Sequence, residues 1–573
     1  MAGPGEMTSL LQDGREGRPE RAESVWWNRR SAWWALSAAP LLNMTIGIVL
    51  APKIEVYTGL ACMSHRPELF EKIADNSLLK SAVVALPRLC ATDPEVRRVV
   101  AQLTTAETTM LGILSCLATG WWSSLSDRTG RRTLFFAAAS GMLCANVIYI
   151  LVNRFWRYLP GGYWWILLGP LIEGSFGGMP ASMVAFTAYV GDTTSEQRRS
   201  KTLSINFGLY WVGFSIGPLV GNLALRMTGN IMSIFYIAVT LQAAFLLYTK
   251  FIMLEPLSKA QQEQARANWK LHHEPGQQSL TRQGLLLAKV WDLFAPIVRP
   301  LEAIKPVLKK SMDPTVRPRR DWNLFLAAVS IGCLFIIAGD LPFKFQYASA
   351  AFHWTAEENG FFLSTLSASR GIYLIIILPL IIKYFKPPTQ EIEIKVESDT
   401  EPSGYKTIKQ KLESPTFDLR LARISIFFEG AVHVVMVLFP SPGSLYFLGV
   451  FGTVGAGFPP AVQSVALSLY IHQGGEEVGK VFGALGVIQT LCGQIISPVL
   501  YGFVYVLTVN IFPLSIFVAS TIAITSSGLI LFLVRMPTHH EIIAKHTDVS
   551  GFNPGTSIRW GQSTDQAGAL VEI

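Results

Sequence analysis

Glu173, Asp340, Lys344, Arg370, Glu429 and His433 stand inside long apolar stretches of the sequence. An ionisable side chain in such a stretch costs several kcal/mol unless it is paired or faces water. Glu173 is the leading case, set within Gly169-Pro170-Leu171-Ile172-Glu173-Gly174-Ser175-Phe176-Gly177-Gly178. A carboxyl withdrawn from water favours its neutral form, which suits a group that must take up and release a proton near neutral pH. Asp340 and Lys344 are one helical turn apart, so they either pair with each other or contact a substrate. Arg370 is an anchor for an anionic substrate or a partner for Glu429, while Glu429 and His433 read as structural. Asn43, Thr45, Gln463, Ser464, Gln489 and Gln494 add polar groups that could face a central cavity. Pro459 and Pro460, after Gly455 and Gly457, predict a kinked or interrupted helix that exposes backbone to that cavity.

Two glycine patterns and one cysteine pair carry structure rather than reaction chemistry. Gly213, Gly217, Pro218 and Gly221 form G-x-x-x-G-P-x-x-G, which clears a groove for a neighbouring helix while the proline bends its own. Of the six cysteines, Cys116, Cys144, Cys333 and Cys492 fall in apolar stretches and behave as small hydrophobes. Cys62 and Cys90 share a polar loop; in an oxidising compartment they form a disulfide, in a reducing one they stay free. The sequence shows no metal-ligand spacing, no nucleophile–base set and no phosphate-binding P-loop, so neither an enzyme nor an ATP-driven pump is expected, and no cofactor.

The elements that must position these groups are membrane helices. Half of the 573 residues are hydrophobic and 15% are charged, against roughly 25% charged in a soluble domain. Apolar runs long enough to cross a hydrocarbon layer of about 30 Å recur along nearly the whole chain. The formal charge of +8 sits mainly in loops and reads as topology signal, not as a nucleic-acid surface. No cleavable signal pattern precedes the first span, which is expected to serve as the targeting signal itself.

Twelve spans are predicted in an all-α, polytopic fold of two six-helix halves. A tail over 1–31 precedes the N-terminal half over 32–254, with spans near Ala32–Tyr57, Ala106–Leu125, Thr133–Val152, Tyr163–Val190 and Thr202–Leu225 and a sixth ending near Leu254. A basic linker over 255–321 divides the halves, and Leu285 to Val307 within it is either an amphipathic helix on the inner leaflet or irregular. The C-terminal half over 322–535 holds spans near Trp322–Tyr347, Gly360–Tyr384, Ile424–Phe439, Gly443–Ile471, Val481–Val506 and Ile511–Leu533. The charged stretch from Lys386 to Arg423 is expected as a loop, and the tail over 536–573 as disordered. Basic turns place both termini in the cytoplasm. Glu6-Met7-Thr8-Ser9-Leu10-Leu11 fits an acidic dileucine sorting signal, which leaves plasma membrane or vacuolar/lysosomal membrane as destinations.

Ser123-Ser124-Leu125-Ser126-Asp127-Arg128-Thr129-Gly130-Arg131-Arg132 closely resembles the loop between helices two and three of the major facilitator superfamily, with Ser123 where that family usually has glycine. The resemblance implies a gate: Asp127 against the N-terminal end of span eleven near Gly479 to Gly483, with Arg131 as its partner, holding the outward-facing state. Asp418-Leu419-Arg420-Leu421-Ala422-Arg423 looks like a degenerate second copy in the other half. The span-five glycines resemble a motif first associated with proton antiporters. Pro52-Lys53-Ile54-Glu55-Val56-Tyr57, the block from Glu173 through Tyr189-Val190-Gly191-Asp192-Thr193-Thr194 to Arg198-Arg199, and Gly479-Lys480-Val481-Phe482-Gly483-Ala484-Leu485 with Gln489 and Pro498 are similar to the proton-coupled folate transporter-like branch and its fungal relatives.

What this implies is a monomeric secondary transporter of a small organic solute, working by alternating access and coupled to protons through Glu173 as a symporter. The substrate cavity would be lined by Asn43, Asp340, Arg370, Gln463 and Gln489. A drug-type proton antiporter exporting amphiphiles is the alternative, and a transporter-like nutrient receptor a third. Its partners are the solute, protons and the lipid bilayer, with no nucleic acid.

Overall fold

A computed structural model describes residues 31–68, 90–194, 196–273, 299–309, 319–386, 390–397, 405–412, 415–473, 478–536 and 559–561. The sorting signal at Glu6–Leu11 and most of the Leu285–Val307 segment lie outside them.

Helices dominate because in lipid only a helix satisfies its own backbone hydrogen bonds. The six of the first half are α1 (Trp33–His65), α2 (Pro94–Thr129), α3 (Arg131–Phe155), α4 in two pieces (Leu168–Ser175 and Gly178–Thr193), α5 (Glu196–Thr228) and α6 (Met232–Ile252). The second half has α7, a pair (Asn323–Gly339 and Leu341–Ala351) bent by 41°, α8 (Ala356–Phe385), α9 (Pro415–Leu438), α10 (Pro442–His472), α11 (Val481–Thr508) and α12 (Ser515–Leu533). Among the described residues nine helices are long and apolar enough to cross a membrane, and the bent α7 pair makes a tenth. The remaining two are α2, which is long but more polar, and α4, whose pieces are individually short. Both fall where spans two and four were expected.

Local chemistry sets the breaks. Asp93 caps α2 by accepting from the backbone N–H groups of Glu95 (2.9 Å) and Val96 (3.1 Å), with Pro94 in the first turn. Gly130, at φ 115°, separates α2 from α3. Gly177 and Gly178, at φ 84° and 49°, split α4 one turn after Glu173. Large apolar side chains such as Leu223, Met227, Phe427, Phe503 and Leu529 face outward, as lipid-facing surfaces require.

The glycine pattern of α5 receives α1, the most extensive helix pairing in the fold. A methyl group on Gly217 would stand 2.5 Å from the Met44 carbonyl oxygen and 2.8 Å from the Ile48 nitrogen; Gly213 faces Pro40 and Gly221 faces Ile48. The halves meet where α5 packs on α8 and α2 on α11, a reciprocal pairing expected of two similar halves. Gly112 of α2 lies against the backbone of Gln494, and Gly502 of α11 against Thr105.

Cys62 and Cys90 are joined by a disulfide, with Cα atoms 5.8 Å apart. At that end of the bundle the halves are tied together. Glu55 accepts from the backbone N–H of Ala356 (2.6 Å), Gln346 donates to Thr104 (2.8 Å), Arg97 donates to the Val509 carbonyl (2.5 Å), and Arg226 pairs with Glu357.

Short strands interrupt the linking segments. Strands β1 (Val307–Lys309) and β2 (Arg319–Asp321) pair antiparallel beside α7. In the stretch expected to be a charged loop between α8 and α9, β3 (Gln390–Glu397) and β4 (Tyr405–Leu412) form an antiparallel hairpin. The tail expected to be disordered returns as β5 (Arg559–Gly561), registered on Glu391–Glu393. Alternation of Glu with Ile and Val in Gln390–Glu397 gives this stretch a strand period that its charge conceals.

Candidate functional site

Three helices of the first half converge on one carboxylate. Glu107 of α2 accepts from the Lys53 ammonium of α1 (2.7 Å) and the Tyr149 hydroxyl of α3 (2.9 Å) through Oε1, and from the Tyr57 hydroxyl (2.6 Å) through Oε2. Lys53 also lies 4.6 Å from the centre of the Tyr149 ring. Glu173 of α4 sits within electrostatic reach of Lys53, Glu107 and Tyr149. Gly141 of α3 lets α4 come close, since a methyl group there would stand 3.3 Å from the Glu173 Cα. The cluster therefore contains two carboxyl groups and one amine. Lys53 is engaged by Glu107, so Glu173 is the surplus acid.

The second half holds a parallel cluster. Asp340 pairs with Lys344 (2.8 Å) and accepts from Ser520 (2.8 Å), whose oxygen also lies 2.8 Å from the Tyr501 hydroxyl. Of the two readings left open for Asp340, the geometry gives the ion pair. Glu429 is buried on α9 against Gly455 of α10, and the His433 ring meets the Glu429 carbonyl at 2.9 Å. Arg370 stacks over Trp211 of α5 at 5.1 Å, and among the described residues no carboxylate lies within ion-pair distance of it.

Asn43 is buried, donates to the Ala39 carbonyl (2.7 Å) and faces Gly213, so it sits in the α1–α5 seam. Gln463 and Gln489 are partly exposed. At the end opposite the disulfide, Arg131 joins Asp127 and Asp192 (2.7 Å for the latter). The Glu255 carboxylate receives the backbone N–H groups of Arg131 (2.8 Å) and Arg132 (3.1 Å) at the start of α3. A helix over Lys259–His273 closes over this corner: Arg128 stacks on Trp269 at 4.4 Å, and Arg266 donates to the Arg128 carbonyl (2.8 Å). Contact between α2 and α11 runs along Leu491–Thr508, while Asp127 is held within its own half.

Sequence reading names Lys53 and Tyr57 only within the stretch that carries the family resemblance, and gives Glu107 and Tyr149 no part. The available signal was one cation in span one and one anion in span two, charges that must find partners in lipid.

A family model described as Major Facilitator Superfamily matches residues 96–389. The MFS-type transporter avaJ of Aspergillus versicolor is 21% identical over 512 residues, covering 89% of each chain. An uncharacterized membrane protein of Saccharomyces cerevisiae is 24% identical over 462 residues, covering 77% of this chain and 76% of its own. The MFS efflux pump atnC of Emericella nidulans is 22% identical over 515 residues, covering 88% of each. Among solved structures, the human organic anion transporter MFSD10 (TETRAN) superposes with a TM-score of 0.53 at 15% identity, over 88% of this chain and 99% of that one. At that identity the likeness speaks for the fold alone.

Proposed function

Because the chain belongs to the Major Facilitator Superfamily and is a multi-pass membrane transporter, we propose that it moves a small organic solute by alternating access, coupled to protons through Glu173. One observation carries this reading. The first-half cluster holds Glu107 and Glu173 against the single cation Lys53, and a second ionised carboxylate without a partner would be costly in a low-dielectric bundle. A proton on Glu173 balances the charge, and its release leaves an anion for which Lys53 is the nearest cation. Movement of the solute past this site then has a proton to exchange.

The antiporter alternative rested on the α5 glycines. Their packing against α1 accounts for them without any direction of transport. We further propose that the end with Asp127 and Arg131 is cytoplasmic, as its basic residues suggest, and that the disulfide end faces an oxidising lumen or the exterior. The polar ties between halves at the disulfide end then describe an inward-facing state, in which the Asp127 contact with the start of α11 is released. The protein acts as a monomer in the plasma membrane or the vacuolar/lysosomal membrane.

The test is an uptake screen in proteoliposomes with an imposed pH gradient. A solute that accumulates only while the gradient stands supports the reading. Accumulation indifferent to the gradient and to ionophores sinks it.

A further inference from the structure

Arg370 is the cation the proton-site reading leaves unused. It lies in the middle of α8 where that helix meets α5, its Nε is buried with no hydrogen-bond partner, and its guanidinium stacks on Trp211. Its acidic neighbours leave it unpaired. Asp340 is bonded to Lys344 and Ser520, and Glu429, within electrostatic reach of Arg370 but beyond ion-pair distance, has its carboxyl against Gly455 of α10. His433 is tied to the Glu429 backbone. On the facing helix, Tyr210 stacks on Phe214 at 5.1 Å and meets Trp211 edge-on at 5.6 Å, so α5 offers an aromatic wall beside the cation.

A guanidinium held in a membrane-spanning helix with no carboxylate at ion-pair distance is matched to a ligand that brings one. Its fork binds a carboxylate through two parallel bonds, and Lys would supply a single point charge. We propose that Arg370 and Trp211 form the substrate's anion subsite, and that the transported solute is a carboxylate with a flat, apolar body that lies along the α5 rings. This rests on the transport reading given above and names its substrate class.

Binding needs no gradient, so the test separates the two. Purified full-length protein in detergent is titrated with 2-naphthoate and, in parallel, with the uncharged isostere 2-naphthamide, following thermal unfolding. Naphthoate is expected to raise the melting temperature at millimolar concentration and naphthamide is not. Arg370→Ala should weaken naphthoate binding by about tenfold or more, the scale of losing charge-assisted bonds, and Arg370→Lys should fall between. Trp211→Ala should weaken it with the carboxylate preference kept. Equal stabilisation by acid and amide, no stabilisation of the unmutated protein by naphthoate, or undiminished naphthoate binding in Arg370→Ala would overturn the proposal. Should the variants fail to fold, the acid–amide comparison on the unmutated protein decides alone. Loss of proton coupling in Glu173→Gln would bear on the transport reading and leave this one untouched.

Discussion

Replacing Glu107 with leucine removes the acceptor of three hydrogen bonds, from Lys53 (2.7 Å), Tyr57 (2.6 Å) and Tyr149 (2.9 Å). Lys53 would then lose its bonded acceptor and keep the Tyr149 ring and Glu173, which is within electrostatic reach but makes no ion pair with it. Removing one partner of a buried pair costs about 3–5 kcal/mol, which lowers the folded-to-unfolded ratio by roughly a hundred- to a few-thousand-fold. Lys53→Met combined with Glu107→Leu takes away the stranded charge, so the double variant should recover about half or more of that loss. The two tyrosine hydroxyls remain without their acceptor, which withholds the rest. Adding Tyr57→Phe and Tyr149→Phe should recover part of the rest. Unfolding in mixed micelles by rising dodecyl sulfate, followed by circular dichroism, gives the four corners of the cycle. A coupling energy of about 2 kcal/mol or more is expected. A coupling below about 0.5 kcal/mol would mean that Lys53 and Glu107 do not meet as described.

Further outcomes follow from the same geometry. Glu173→Gln should abolish solute accumulation driven by a pH gradient while sparing solute exchange at equal pH; unchanged pH-driven accumulation would remove Glu173 from the mechanism. Gly217→Leu should block the α1–α5 seam, because even a methyl group would lie 2.5 Å from a carbonyl oxygen of α1; overpacking of this kind costs about 1–3 kcal/mol or more, and normal yield with an unchanged melting temperature would contradict the packing. Cys62→Ser with Cys90→Ser opens a cross-link over 28 residues of separation, with a stability loss of about 2–4 kcal/mol, read by thermal unfolding with and without reductant. If reductant lowers the stability of the serine variant as much as that of the native chain, the bond is not the cause. Asp127→Asn should alter transport rate with normal insertion, since it loosens the Arg131 corner; a wild-type rate would leave that corner a topology signal only.

The spans were legible because a lipid solvent imposes length and apolarity on each of them, and Glu173 was legible because one acid among glycines in such a run is conspicuous. The α5 glycines announced their groove by spacing alone, although not that α1 would fill it. Glu107 and Lys53 were harder. They stand on different helices, and the bond between them joins residues 54 apart in sequence, which no local period encodes. Asn43 was assigned to the cavity from polarity alone, whereas its side chain closes on the carbonyl of Ala39 four residues before it, as an amide in lipid can. The hairpin of β3 and β4 escaped notice because charge outweighed alternation in reading Gln390–Glu397.

Proton movement measured inside the vesicle tests the central claim most directly. With a pH-sensitive dye trapped in proteoliposomes, an inward gradient of the transported solute should acidify the lumen in the native protein and in Glu173→Asp. Glu173→Gln should carry solute to equilibrium with no pH change. Acidification that persists in Glu173→Gln, or solute entry in the native protein with no proton movement, would contradict the account.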